Sequence, residues 1–339
     1  SHTAVVGENW GDGIGGYFIS TQGIGLVANT ADGHALATLG PSLIQGPTPM
    51  QVALLKWYPA VNTPLSFTVG TDPASVAFDG ANIWVVNYGS DNVSVLRANN
   101  GEHVMTCTVG WSPDAIAFDG VNMWVTNRDS HNVSVLRASD CTHVMTPSVG
   151  TLPFRIAFDG TNMWVVNNGS ANVSVLRASD GYHVMTPTVG TGPRGIAFDG
   201  TNMWVVNYSD DTVSVLRASD GYHVMTPTVG LGPTAIAFDG ANMWIANLDD
   251  DSVSVIRAAD GVSVTTIYFP TVGDGPTALA FDGANMWVVN ELADTVSIIR
   301  AADFTLVDTI PVGNRPLGIA FDGAYMWITN NDDNTVSKR

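Results

Sequence analysis

Residues 183–217 read HVMTPTVG (183–190), TGPRGIAFDG (191–200), TNMWVVNYSD (201–210) and DTVSVLR (211–217). Runs rich in Val, Ile, Thr, Met and aromatic residues are set off by Gly, Pro, Asp and Asn, the punctuation of four short β-strands. The piece MWVV is continuously apolar, as expected of a strand covered on both faces. No stretch carries a helical period with caps. The same text recurs along the chain. Phe-Asp-Gly stands at 78–80, 118–120, 158–160, 198–200, 238–240, 281–283 and 321–323, at a step of 40 residues apart from one of 43 with an insertion near Tyr268–Pro270. Four residues after each Gly comes a Trp (84, 124, 164, 204, 244, 287, 327), and three later an Asn (87, 127, 167, 207, 247, 290, 330).

A unit of about 40 residues and four strands, present seven times, predicts an all-β fold: a seven-bladed β-propeller over residues 65–339. The ends support closure. LSFTVG (65–70) matches the outer-strand text HVMTPTVG, and the chain stops at VSKR (336–339), which matches VSVLR. Strand 65–70 is therefore expected to complete the blade made by 317–339, leaving no open sheet edge.

The pattern VG-x-x-P-x-x-I-A-F-D-G-x-N-M-W-V-V-N…V-S-V-L-R resembles the YVTN-type and related NHL-like repeat propellers of bacterial and archaeal surface proteins, across residues 65–339. The resemblance implies the fold, whereas its function stays open, since such propellers include adhesins, scaffold modules, lactonases and streptogramin lyases. Residues 1–40 differ. Short apolar pieces such as GGYFIST and GIGLVANT recur about every nine residues behind Gly or Asp-Gly. They resemble the Gly-rich trimeric β-helical stems of phage tail fibres, which implies a homotrimer through residues 1–40; an arm packed on its own propeller is the other reading. Residues 41–64 carry five prolines and read as a connector.

Among 339 residues, 45% are hydrophobic and 13% charged, with a net charge of −18. No basic cluster exists to neutralise phosphates, which argues against nucleic acid and anionic membrane surfaces as partners. No apolar run approaches the 18 residues of a membrane span. Cys107 and Cys141 occupy repeat positions filled elsewhere by Pro or Gly, so they read as drift within repeats, and the sequence does not place them within bridging range. The low Lys content and abundant Asn, Thr, Ser and Gly fit an extracellular or cell- or virion-surface location.

Positions identical in every copy serve what every blade needs. The Asp of Phe-Asp-Gly reads as a turn cap, the Trp as inter-blade core and the following Asn as a loop tie. His103, His143, His183 and His223 share one repeat position on four blades and so cannot converge. No catalytic constellation, metal set or cofactor motif stands out. The acidic hairpins Asp249–Asp251 and Asp332–Asp333 lack the ligand spacing of a calcium loop. Streptogramin lyases use His and acidic groups near the axis; no matching His is found here, and their Gly-Asn-Leu-Trp-Phe text is replaced by Asn-Met-Trp-Val-Val.

The variable loops are different in kind. One reads TDPA, WSPD, TLPF, TGPR, LGPT, DGPT and NRPL around its constant Pro; the other reads YGSD, RDSH, NGSA, YSDD, LDDD, ELAD and NDDN after its constant Asn. Both are expected on one face, where Tyr88, Trp111, Asp114, Arg128, Phe154, Arg155, Arg194, Tyr208, Leu248, Glu291 and Arg315 ring the mouth. Aromatics mixed with Arg and Asp suit a protein or carbohydrate ligand. The expectation is a non-enzymatic binding or display module, with a surface-layer or filament subunit as the alternative and a lactonase- or streptogramin-lyase-like enzyme as the second alternative.

Overall fold

The computed structural model of the chain describes residues 65–268 and 274–339. The expected stem, connector and trimerisation lie outside the described residues. Seven four-stranded antiparallel sheets are present, each running from an innermost to an outer strand. In blade 1 these are Pro73–Phe78, Asn82–Asn87, Asn92–Arg97 and His103–Thr108. Blades 2 to 6 repeat this order from innermost strands at Pro113, Pro153, Pro193, Pro233 and Pro276. Blade 7 takes Pro316–Phe321, Met326–Asn330 and Thr335–Lys338 from the C-terminal end and Leu65–Thr68 as its outer strand, in register Leu65↔Lys338 to Thr68↔Thr335. The ring is closed by pairing of Leu65–Thr68 with Thr335–Lys338, as the repeat phase requires. Among the described residues no helix is long and apolar enough to cross a membrane.

Each blade starts from one carboxylate. Asp79 Oδ1 accepts the backbone N–H of Ala81 at 2.8 Å and of Asn82 at 2.6 Å, which shapes the turn after the innermost strand. Gly80 follows at φ +100°, a conformation closed to side chains bearing a Cβ. Asp79 Oδ2 accepts the indole N–H of Trp84 at 2.8 Å, and the same bond recurs in the other six copies. With its N–H satisfied, the indole packs between blades, fully buried in every copy except the partly buried Trp287. Trp84, Val86, Val93 and Val95 of blade 1 meet Ile116, Met123, Val125 and Leu136 of blade 2. Trp327 meets Ile83, Val85 and Leu96 and so seals blade 7 to blade 1.

The constant Asn ties side chains more than backbone. Asn87 Nδ2 donates to Asn92 Oδ1 at 2.7 Å and to Ser94 Oγ at 2.9 Å across its hairpin. It also explains the constant Gly of the VG pair: a Cβ on Gly70 would sit 2.6 Å from Asn87 Cγ. Backbone ties run between blades instead. The last hairpin residue adopts positive φ in every copy, and its side chain accepts an N–H from the next blade's loop: Asp91 from Ser112, His131 from Leu152, Asp211 from Gly232, Asp251 from Gly275, Asp294 from Arg315 and Asn334 from Asp72. Blade 3 has Ala171 at this position, at φ 49°, with no side-chain acceptor.

The outer strands depart from the sequence reading. In blades 2, 3 and 4 they shrink to His143–Met145, His183–Met185 and His223–Met225. Pro147, Pro187 and Pro227 interrupt them because proline has no N–H for the ladder. Blade 1 has Cys107 there and keeps a six-residue strand. Cys107 is also bonded to Cys141 of blade 2, with Cα atoms 5.7 Å apart. The two cysteines form an inter-blade staple, where the repeat comparison suggested drift.

Two expected outcomes follow. Replacing Ala171 with Asp supplies the missing clasp to Gly192 N–H at a φ that Asp tolerates, and adds about 1 kcal/mol. Calorimetry should show Tm rising by about 2 °C in a domain of this size; an unchanged or lower Tm would remove the clasp from the account. Removing the staple by Cys141→Ser frees a loop with a sequence separation of 34 residues. That is worth about 3–4 kcal/mol by chain entropy, and chemical denaturation should show the loss, while thiol titration of the unreduced, unfolded wild-type chain finds no free thiol and that of the variant finds one.

Candidate functional site

The prolines that open the innermost strands, Pro73 to Pro316, each pair with the constant Asn of the second strand. Directly after each Pro the register slips by one extra residue, a bulge in all seven blades. A bulge re-aims the side chain it carries, and here it aims seven side chains at the axis. Ala74, Asp114, Phe154, Arg194, Thr234, Thr277 and Leu317 all line one cavity of about 350 Å³. A second ring comes from the residue after the constant Asn, through Tyr88, Arg128, Leu248, Glu291 and Asn331. Asp72, Arg155 and Arg315 complete the lining.

The cavity is electrically divided. On blades 2 to 4 the guanidinium carbons of Arg128, Arg155 and Arg194 lie 5.7, 5.1 and 6.0 Å from the centre of the Phe154 ring. Asp114, only 6% exposed, takes Arg155 Nη1 on Oδ1 at 2.7 Å. Burial pushes the Asp114 carboxyl up from its ordinary value, and the Arg155, Arg128 and Arg194 charges work against that without reversing it. Arg194 stacks 3.5 Å over the Tyr208 ring. The Tyr208 hydroxyl donates to Asp249 at 3.0 Å, and desolvation and then that carboxylate raise its pKa. On blades 6 and 7 the charges are balanced locally: Arg315 Nε donates to Glu291 Oε1 at 3.0 Å, and Nη1 donates to Asn331 Oδ1 at 3.3 Å and lies 3.7 Å from Asp332 Oδ1.

Of the residues expected at the mouth, Tyr88, Asp114, Arg128, Phe154, Arg155, Arg194, Leu248, Glu291 and Arg315 line the cavity. Tyr208 is not in the lining and lies under Arg194. Trp111 is corrected: it sits two residues before the Pro, ahead of the bulge, and points into solvent with 69% exposure. The sequence reading passed over Ala74, Thr234, Thr277 and Leu317, although they share the repeat position of Asp114, Phe154 and Arg194. Their side chains carry no charge, and only the bulge shows that position to be axial.

The acidic hairpins are spent on the scaffold. Asp250 accepts the Leu231 N–H, Asp251 the Gly275 N–H and Asp333 the Asn314 N–H. The repeated histidines lie on the outer strands and bond their own threonines, as His143 does to Thr146 at 2.7 Å. Among the described residues no three His, Cys, Asp or Glu side chains come together as a metal-binding group.

No protein-family model matches the chain, and no curated protein matches it. Solved structures do. Virginiamycin B lyase of Staphylococcus aureus matches at TM-score 0.70 and 15% identity over 81% of this chain and 98% of its own. A catalytically inactive His-to-Ala variant of that lyase with quinupristin matches at TM-score 0.70 and 16% identity, with the same coverage. Hydrazine synthase of Kuenenia stuttgartiensis matches at TM-score 0.68 and 18% identity over 80% of this chain and 97% of its own. At these identities the likeness is one of fold. The finding nevertheless corrects the leading functional expectation, a non-enzymatic binding or display module: the solved structures named above are a lyase and a hydrazine synthase.

Proposed function

We propose that the chain is a propeller enzyme of the lyase kind, acting on a small molecule in the axial cavity. The observation that carries this reading is Asp114, a nearly buried carboxylate in the cavity wall. Arg155 holds its Oδ1, and no described residue donates to its Oδ2. A carboxylate positioned by one oxygen, with raised proton affinity, is equipped to accept a proton. In an elimination, Asp114 Oδ2 takes a proton from carbon beside a carbonyl, the freed pair becomes a carbon–carbon double bond, and the neighbouring carbon–oxygen bond breaks. The departing oxygen carries the negative charge, and the guanidiniums of Arg128 and Arg194 stabilise it. Phe154 and Leu248 supply apolar wall.

Two features support the class. The lyases noted above share the fold, and the reaction asks nothing of the residues beyond proton transfer and charge stabilisation. One difference sets this chain apart. A histidine is required in the inactive lyase variant's parent, whereas no His lines this cavity, so a carboxylate takes the proton here.

The test incubates the full chain with quinupristin and a panel of cyclic and linear esters whose ester oxygen sits on the carbon next to an acidic α-carbon, followed by mass spectrometry. From a cyclic ester the expected product is an opened isomer of unchanged mass, formed at least about 100-fold more slowly by Asp114→Asn. No turnover across the panel, a product that has gained water, or an Asp114→Asn rate equal to wild type would overturn the reading.

Asp114 also makes a thermodynamic prediction. Its folded pKa lies above the unfolded one, so the folded state binds the proton more tightly, and its ionised form costs stability above the folded pKa. That cost disappears as pH falls below the unfolded value. The Tm of wild type minus that of Asp114→Asn is therefore expected to rise as pH falls from 7 towards 4 in thermal scans. A fall would mean that the Arg155 pair outweighs burial.

A further inference from the structure

The distribution of positive charge singles out one sector of the cavity. The chain carries only 13 Lys and Arg against 31 Asp and Glu. Arg137, Arg177, Arg217, Arg257 and Arg300 each sit on a blade rim within 3.3 Å of an Asp three residues on, so their charge is cancelled locally. Arg128, Arg155 and Arg194 are different. They come from three successive blades and surround a single ring, Phe154. Among the described residues only Arg155 of the three has a carboxylate within ion-pair distance, and that carboxylate is the buried Asp114.

We infer that Arg128, Arg155 and Arg194, set around Phe154, form a subsite for the oxyanion group of a small aromatic ligand, a carboxylate or a phosphate. The inference rests on reading the axial cavity as the substrate site and adds which end of the substrate goes where.

Three physical points carry it. A guanidinium does not shed its proton, so Arg128 and Arg194, set beside the Asp114-paired Arg155, keep the sector positive until an anion enters. Burial lowers the pKa of Arg194, Tyr208 and Asp249 work against that, and Arg155 and Arg128 add a smaller lowering of their own. The arc is also prepared for a ligand. Arg194 is held flat against Tyr208 at 3.5 Å, while the Arg128 guanidinium has no hydrogen bond or ion pair among the described residues and is free to turn onto an oxyanion. Planar forks of this kind grip carboxylate and phosphate through paired N–H donors. Finally, the polarity has a direction. Arg315 is already answered by Glu291 and Asp332, so the net positive sector is confined to blades 2 to 4, where the half-buried Phe154 lines the cavity and supplies an aromatic surface beside the guanidiniums.

Isothermal titration of the full chain at low salt with benzoate, phenyl phosphate and neutral benzyl alcohol tests this. Benzoate or phenyl phosphate is expected to bind, and added salt should weaken the binding. Arg128→Gln should lower affinity about tenfold, and Arg194→Gln should do so as well while keeping the wild-type Tm within about 2 °C. The tighter of the two anions identifies the oxyanion. Asp114→Asn removes a negative charge beside the arc and should keep or strengthen anion binding, whatever it does to turnover. Benzyl alcohol binding as well as the anions, neither anion binding, or an unchanged affinity in both arginine variants would overturn the subsite. Anion binding that depends on Arg128 in a protein without turnover would instead leave the subsite standing and remove the enzyme reading.

Discussion

A tryptophan cannot be buried between two sheets unless its indole N–H finds an acceptor, since a lost hydrogen bond of that kind costs about 1–3 kcal/mol. In this propeller the acceptor is an Asp five residues earlier, at 2.6–2.8 Å in all seven blades. The same carboxylate captures two backbone N–H groups of the turn, so turn shape and indole orientation are set together. Burial penalises the charge at Asp282, yet the donors from Asn285, Trp287 and Ala284 hold its carboxyl below the usual range. Everything else follows from an indole held in one pose. It fills the space to the next blade, the next blade does the same, and seven such wedges close on the strand Leu65–Thr68. Phe67 of that strand stacks on the last Trp at 5.5 Å.

This arrangement leaves the inner rim without a structural task. The constant Pro and Asn are locked into the ladder, and the bulge that follows the Pro takes one residue out of it. That residue has no cross-strand partner in the ladder, so the ladder leaves its identity open, although Thr234 uses its hydroxyl on Ala246 O and on Pro276 O of the next blade and Asp114 pairs with Arg155. Neither that position nor the one after the constant Asn belongs to the Trp wedge, although Asn168 and Asn331 each donate to the opening Pro carbonyl of the next blade. The coexistence of Ala74, Asp114, Phe154 and Arg194 at one repeat position is the direct sign of this freedom.

The repeat text made the ring, its seven blades and its closure legible, because Phe-Asp-Gly, Trp and Asn stand for interactions made inside each copy. The mouth was legible as two loop families, and nine residues singled out there do line the cavity. Trp111 was misplaced because exposure and proximity to Pro113 look alike in sequence, while the bulge that separates axial from outward side chains is a backbone event. The Cys107–Cys141 bond was invisible for a related reason: it joins two blades across a sequence separation of 34 residues, and repeat comparison describes each copy alone. The broken outer strands of blades 2 to 4 show the opposite case, where Pro147, Pro187 and Pro227 carried a signal that the apolar pattern around them masked.

Blades 3 and 4 sharpen the division of labour. Residues 150–189 and 190–229 are the same text except at eight positions. Those are 152, 154, 155 and 168–172 in blade 3, all of them around the opening Pro of the innermost strand or in and just after the hairpin that follows the constant Asn. Random drift would have touched the outer strands and the opposite turns, which are exposed and as tolerant as any loop. Instead VSVLRASDGYHVMTPTVG is repeated unaltered. Among the changes are Phe against Arg at the bulge and Asn against Tyr after the constant Asn, the pairs that create the Phe154 ring and the stacked Arg194–Tyr208. The two copies agree throughout the wedge and the outer strand, and among the residues that differ Phe154, Arg155 and Arg194 line the cavity, so the scaffold holds constant while the cavity wall varies.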